Sequence, residues 1–126
     1  MTDVPNIKID HLTVQYRSKG SLVTALQDVT VDIPRRSFVS VVGPSGCGKT
    51  TLLKVLSGVL KPTSGEVTFD DQKLGEARLS GRVGYVFQRP LLLPWRTALE
   101  NVALTSEIAR KQMSAETRLA EAKRWL

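Results

Sequence analysis

The spacing of apolar side chains divides the chain into segments of different period. From the start, Ile7, Ile9, Leu12, Val14 and Tyr16 stand among polar neighbours, and the alternation slips once near Asp10-His11. A period of two puts one face of a strand in a core and the other in water, so this segment reads as a half-buried strand ending at Tyr16. Arg17-Ser18-Lys19-Gly20-Ser21 is a polar turn. Ala25, Leu26, Val29, Val31 and Ile33 then mark a second alternating segment, which Pro34 closes. Two such strands across a short link predict an antiparallel unit. After the turn Pro34-Arg35-Arg36-Ser37 comes Phe38-Val39-Ser40-Val41-Val42, a β-branched run of strand length that stops at Gly43.

From Lys49 to about Leu56 the period becomes helical, with Leu52, Leu53, Val55 and Leu56 as the expected buried side and Gly58 as the stop. Lys61-Pro62-Thr63-Ser64-Gly65 is a loop, Glu66 to Phe69 a short strand and Asp70-Asp71-Gln72-Lys73 a turn. Val83-Gly84-Tyr85-Val86-Phe87 reads as a further strand ending at Gln88. Thr97 to Arg110 and Ser114 to Leu126 read as helices, the second with Ser114 as N-cap. Leu119, Ala122 and Leu126 carry the apolar stripe to the last residue with no stop signal behind it, so the sequence reads as the N-terminal part of something longer.

At 126 residues, with 41% hydrophobic and 24% charged side chains, the chain is one soluble domain or part of one. No apolar stretch approaches the roughly 18 residues of a membrane span. Met1-Thr2-Asp3-Val4-Pro5 lacks the basic and apolar regions of a signal peptide, which makes the cytoplasm the expected compartment. A net charge of +6 favours acidic partners. The basic residues are scattered and do not interleave with aromatics, which argues against nucleic acid. Cys47 is the single cysteine, so no internal disulfide forms, and it reads as a small residue fitted into a tight loop. His11, the single histidine, has no second His or Cys at ligand spacing, which makes a metal site there improbable.

What changes the picture is the segment joining the β-branched run to the helix. Gly43-Pro44-Ser45-Gly46-Cys47-Gly48-Lys49-Thr50-Thr51 is G-x-x-x-x-G-K-[ST] in strand–loop–helix context. Glycines let backbone N–H groups converge on an anion with no Cβ in the way, and the helix N-terminus adds a favourable dipole. Lys49 supplies a mobile charge for the β- and γ-phosphates of a nucleotide, and the Thr50 hydroxyl can ligate Mg²⁺. The loop alone would suit many NTPases.

Further segments narrow the choice. With the loop, Ala25-Leu26-Gln27-Asp28-Val29, Leu56-Ser57-Gly58, Pro62-Thr63-Ser64-Gly65-Glu66-Val67 and Tyr85-Val86-Phe87-Gln88 resemble the ATP-binding subunit of ABC transporters over nearly the whole chain. Leu92-Leu93-Pro94-Trp95-Arg96-Thr97 followed by Glu100-Asn101-Val102 is similar to importers of the nitrate, sulfonate and taurine type. The resemblance implies an α/β fold of the P-loop NTPase class, an ABC-type ATPase core with an N-terminal antiparallel β subdomain and the start of a helical subdomain. About residues 1–88 would form the β and phosphate-loop core and about 89–126 the helical start. Arg36-Ser37 stands where the family usually has Gly-Glu, and Asp71 where a hairpin glycine is usual.

The resemblance also implies roles. Tyr16 falls where the family places the aromatic that stacks on adenine. Gly43, Pro44, Ser45, Gly46, Cys47, Gly48, Lys49, Thr50 and Thr51 would hold the phosphates. Lys49 and Gln88 would be the catalytic pair, with Thr50 and Gln88 as Mg²⁺ ligands and Gln88 relaying to the membrane partner. The cofactors are then ATP and Mg²⁺. The implied function is ATP binding and hydrolysis coupled to import of a small anion. The partners would be an integral membrane permease, a second ATP-binding subunit and, indirectly, a periplasmic or extracellular substrate-binding protein. The location would be peripheral, on the inner face of the cell membrane. Leu91-Leu92-Leu93-Pro94-Trp95 would be part core and part docking surface, with Trp95 nearest the partner.

Two segments imitate family motifs. Asp70-Asp71 follows an apolar strand like a metal-binding carboxylate pair, but it lies too close behind the phosphate-loop helix and reads as a hairpin. Leu79-Ser80-Gly81 begins like the family's L-S-G-G-Q signature, yet Arg82-Val83 follows it and it precedes Gln88. The signature, the carboxylate-ended Walker B strand and the switch histidine are absent from these residues, so the chain by itself is expected to be inactive. The rivals are a truncated, non-hydrolysing nucleotide-binding fragment and another P-loop NTPase such as a small kinase or GTPase.

Overall fold

The two alternating segments pair as the spacing predicts. In the computed structural model, which describes residues 6–18, 20–70, 72–74, 83–110 and 112–126, β1 (Ile7–Ser18) runs antiparallel to β2 (Ser21–Ile33), from Ile7 opposite Ile33 to Ser18 opposite Ser21. β3 (Ser64–Phe69) pairs antiparallel on the other side of β1, and β4 (Gln72–Lys73) pairs with β3, so the sheet order is β2-β1-β3-β4. β1 runs on past Tyr16, and Gln72-Lys73 is a ladder pair where the sequence suggested a turn. Asp70, in that turn at φ 48°, accepts from the Asn6 N–H at 2.8 Å and pairs with Arg35 at 2.8 Å. Asp71 and the Leu79-Ser80-Gly81 segment lie outside the described residues.

The slip near Asp10-His11 is a bulge. His11 (φ 47°) and Asp28 (φ 49°) both adopt the left-handed conformation, and the register shifts between Ile9 and Leu12. Lost ladder bonds are replaced by hydroxyls: the His11 N–H donates to Thr30 Oγ1 and the Asp28 N–H to Thr13 Oγ1, each at 3.1 Å. The extra residue restores parity, so Ile9, Leu12 and Val14 are all buried on one face. Gly65 (φ 79°) lets β3 pass this bulge, because a Cβ there would fall 2.5 Å from the Asp10 carbonyl oxygen and closer still to that of His11.

α1 (Lys49–Leu56) covers that face. Val55 is fully buried with Ile9, Leu12, Val14, Val67 and Phe69, and Leu52 and Leu56 pack at the margin. Leu53 was expected in this group but is half-exposed, since it lies about 100° round the helix from Leu52. The helix ends as the glycine signal requires: the Gly58 N–H donates to Val55 O and the Val59 N–H to Lys54 O, with Gly58 at φ 70°.

Two expected strands are not strands. Residues 38–42 join no ladder among the described residues, and Phe38 and Val42 are 94% and 91% exposed. Residues 83–87 are likewise unpaired among the described residues, although Tyr85 and Phe87 pack edge to face at 4.5 Å. A β-branched run becomes a strand only where a neighbour supplies the ladder.

The chain divides into two units, Met1–Gly84, just described, and Tyr85–Leu126. The second holds α2 (Ala98–Ala109) and α3 (Ala115–Ala122). α2 starts on a capping box: Thr97 Oγ1 accepts from the Glu100 N–H, and the Glu100 carboxylate accepts from the Thr97 N–H. Ser114 caps α3 as read. α3 stops at Ala122 and does not reach Leu126, because the Arg124 and Trp125 N–H groups turn to carbonyls three residues back, tightening the last turn. Arg110 joins Glu121 across the helix pair at 3.0 Å, and Ala103 and Ala122 are buried.

Candidate functional site

The glycine-rich loop runs from Gly43 into α1 and is the candidate phosphate cradle. Gly46 at φ 80° and Gly48 at φ 97° take conformations that Cβ-bearing residues rarely adopt. Gly48 is also wedged against β2, since a Cβ there would meet Ala25 O at 2.5 Å and Leu26 Cδ2 at 2.8 Å. Strand β2 thus fixes where α1 begins. The Cys47 thiol turns back onto Gly43, where a Cβ would meet its Sγ at 2.7 Å.

Lys49 reaches back over this loop. Its ammonium donates to Gly43 O at 2.7 Å and to Pro44 O at 2.6 Å, with Cys47 Sγ at 3.5 Å. Carbonyl oxygens are weaker acceptors than phosphate oxygens, so an anion seated in the cradle would compete for these N–H groups. Helix α1 has no acidic residue in its first turn, which leaves its positive end uncompensated. Thr50 is exposed at this end, and Thr51 is half-buried. The Thr51 Oγ1 lies 3.4 Å from the Tyr16 hydroxyl. The fold therefore brings Tyr16, on β1, to the same end of α1 as the loop.

Gln88 belongs to the second unit, where it is exposed in a bend after Phe87. No group of three His, Cys, Asp or Glu residues suited to a metal occurs among the described residues. Asp70 is engaged by Arg35 and Asn6. Sequence reasoning did not anticipate the contact of Gly48 with Ala25 and Leu26; the only signal for it is the glycine itself.

The sequence profile of the ABC transporter family matches residues 26–126. The chain belongs to this ATP-binding family. The taurine import ATP-binding protein TauB of Rhizobium johnstonii is 40% identical over 104 residues, covering 82% of this chain and 39% of that protein. The aliphatic sulfonates import ATP-binding protein SsuB of Zymomonas mobilis is 38% identical over 110 residues, covering 87% of this chain and 45% of that protein. An uncharacterised ABC transporter ATP-binding protein of Methanocaldococcus jannaschii is 37% identical over 123 residues. A dimeric solved structure of a bacterial ABC transporter cassette, MJ0796, superposes with a TM-score of 0.84 at 38% identity, over 94% of this chain and 54% of that one. The same cassette has been solved bound to ADP and phosphate. The fold is that of the ABC ATPase cassette, and the chain spans about half the length of the relatives it matches.

Proposed function

We propose that this chain carries the nucleotide-binding face of an ABC transporter's ATP-binding subunit. The observation behind the reading is the Lys49 ammonium folded over the carbonyls of a glycine loop that opens into the uncompensated positive end of α1. In this reading Gly43 to Thr51 wrap the phosphates of ATP, Lys49 exchanges its carbonyl partners for the β- and γ-phosphates, and Tyr16 stacks on adenine. Mg²⁺, when bound, neutralises charge on the transferring phosphoryl group; the Thr50 hydroxyl would hold it. About residues 1–88 would supply the β and phosphate-loop core and about residues 89–126 the helical start.

These 126 residues bind nucleotide without turning it over at the rate of a complete subunit. Hydrolysis needs an oriented water and donors to the developing charge, and Asp70 is already committed to Arg35 and Asn6. A second ATP-binding subunit would supply the missing signature segment. The relatives named for taurine and sulfonate import support a small-anion importer, with a membrane permease and, indirectly, a substrate-binding protein as partners. Leu91, Leu92 and Trp95, all exposed, would face that permease at the inner side of the membrane.

Titration with a fluorescent ATP analogue in Mg²⁺ tests the site. Lys49→Ala removes a charge-assisted contact and is expected to weaken binding by about 1.5–3 kcal/mol, roughly tenfold or more. Equal affinity in both proteins would sink the assignment.

A further inference from the structure

The second unit holds a backbone bracket that the functional reading does not use. Asn101, in the second turn of α2, turns its carboxamide toward the loop that precedes the helix. Its Oδ1 accepts from the Leu93 N–H at 2.8 Å, and its Nδ2 donates to Leu93 O at 3.2 Å, Arg96 O at 3.1 Å and Thr97 O at 3.0 Å. The orientation of the amide follows from chemistry, since a backbone N–H can only donate and three carbonyls can only accept. Leu93 is thereby held at both its N–H and its C=O, and the chain is fixed again at residues 96 and 97.

Three apolar side chains of this loop do not anchor it, although that of Leu93 is half-buried. Leu91, Leu92 and Trp95 are 61%, 71% and 76% exposed. The Arg96–Glu107 ion pair at 2.8 Å and the Thr97–Glu100 box are exposed, and exposed ion pairs contribute little. The Asn101 contacts with Leu93 and Arg96 are the half-buried ones, and they span the exposed turn.

We propose that Asn101 is the positioning residue of this loop, holding residues 93–97 in one path so that Leu91, Leu92 and Trp95 are presented ready-made to the membrane subunit. The role of that patch rests on the functional reading above; the bracket itself does not. A patch formed before its partner arrives avoids the ordering cost that a slack loop would meet on docking.

Amide hydrogen exchange on the chain, read residue by residue, tests the bracket. In Asn101→Ala the Leu93 amide is expected to exchange about tenfold faster or more, while amides in the middle of α2 and α3 keep their rates. Asn101→Asp keeps an acceptor for the Leu93 N–H but sets a carboxylate oxygen against the carbonyls of Leu93, Arg96 and Thr97, and is expected to lose that protection as well. Thr97→Ala loosens the start of α2 and leaves Leu93 protected. With Trp125→Phe in the background, the fluorescence anisotropy of Trp95 falls in Asn101→Ala. Unchanged Leu93 exchange in Asn101→Ala, or an equal loss in Thr97→Ala, would overturn the proposal. Binding of the fluorescent ATP analogue by the same samples reports separately on the functional reading, because Asn101 lies outside the phosphate loop.

Discussion

Phe69 and Phe38 occupy equally β-prone stretches and meet opposite fates. Phe69 sits in β3 opposite Ile7 and Gln72 and is 4% exposed, whereas Phe38, in the run leading to the phosphate loop, is 94% exposed. Composition does not separate them; neighbours do. β3 has β1 on one side and β4 on the other, while residues 38–42 have no ladder partner among the described residues. β-propensity measures how well a side chain fits a pleated, half-buried surface, and that surface must be supplied. The antiparallel sheet supplies its own within the first 74 residues.

The contrast can be broken most directly by truncating both rings. Phe69→Ala is expected to cost about 3–5 kcal/mol in denaturant unfolding, from lost burial plus the cavity left behind. Phe38→Ala is expected to stay within about 0.5 kcal/mol. Comparable losses would mean that residues 38–42 pack against something. A smaller effect separates two glycines of nearly equal φ. Gly65→Ala drives a Cβ into the Asp10 and His11 carbonyls and is expected to cost about 2–4 kcal/mol, whereas Gly46→Ala, with open space around it, carries only backbone strain of about 1–2 kcal/mol. Thermal unfolding of the two variants checks the order.

The smallest effect concerns the bulge that sets the parity of β1. The hydrogen bond from His11 Nδ1 to the Asp28 carboxylate at 2.6 Å, then the charges of Asp28 and Asp10, raise the imidazole above its ordinary value of 6.5. A raised folded-state value means that the pair stabilises fully below the ordinary value and fades as pH rises through the folded one. The single histidine gives one NMR titration, expected above 6.5 and returning toward it in Asp28→Asn. An unshifted titration in the unsubstituted protein would remove the bulge pair from the account.

Much of this was legible in the sequence. The alternation from Ile7 to Ile33 pointed to the hairpin, and its slip near Asp10-His11 marked the first of three register shifts between the two strands. Gly58, Thr97 and Ser114 marked helix ends through local chemistry that needs no partner. The glycine-lysine motif marked the loop's two left-handed turns, because φ of 80° at Gly46 and 97° at Gly48 is readily open only to glycine. What was not legible depends on contacts distant in sequence. Residues 38–42 and 83–87 carry strand composition without a ladder. Leu53 points away from the sheet by helix geometry that a count of leucines ignores. The Asn101 bracket joins a helix to the loop before it, and no periodicity signals that.

The central claim is that the loop from Gly43 to Thr51 is the nucleotide cradle, with Tyr16 at its edge. Backbone amide shifts of the chain, recorded as Mg-ATP is added, test it at the residues named. Shifts are expected to concentrate at residues 43–51 and at Tyr16, with Lys49 changing partner and the Lys49→Ala protein showing little change at the same concentrations. Shifts that leave residues 43–51 in place and gather elsewhere, for instance around Arg35 and Asp70, would contradict it.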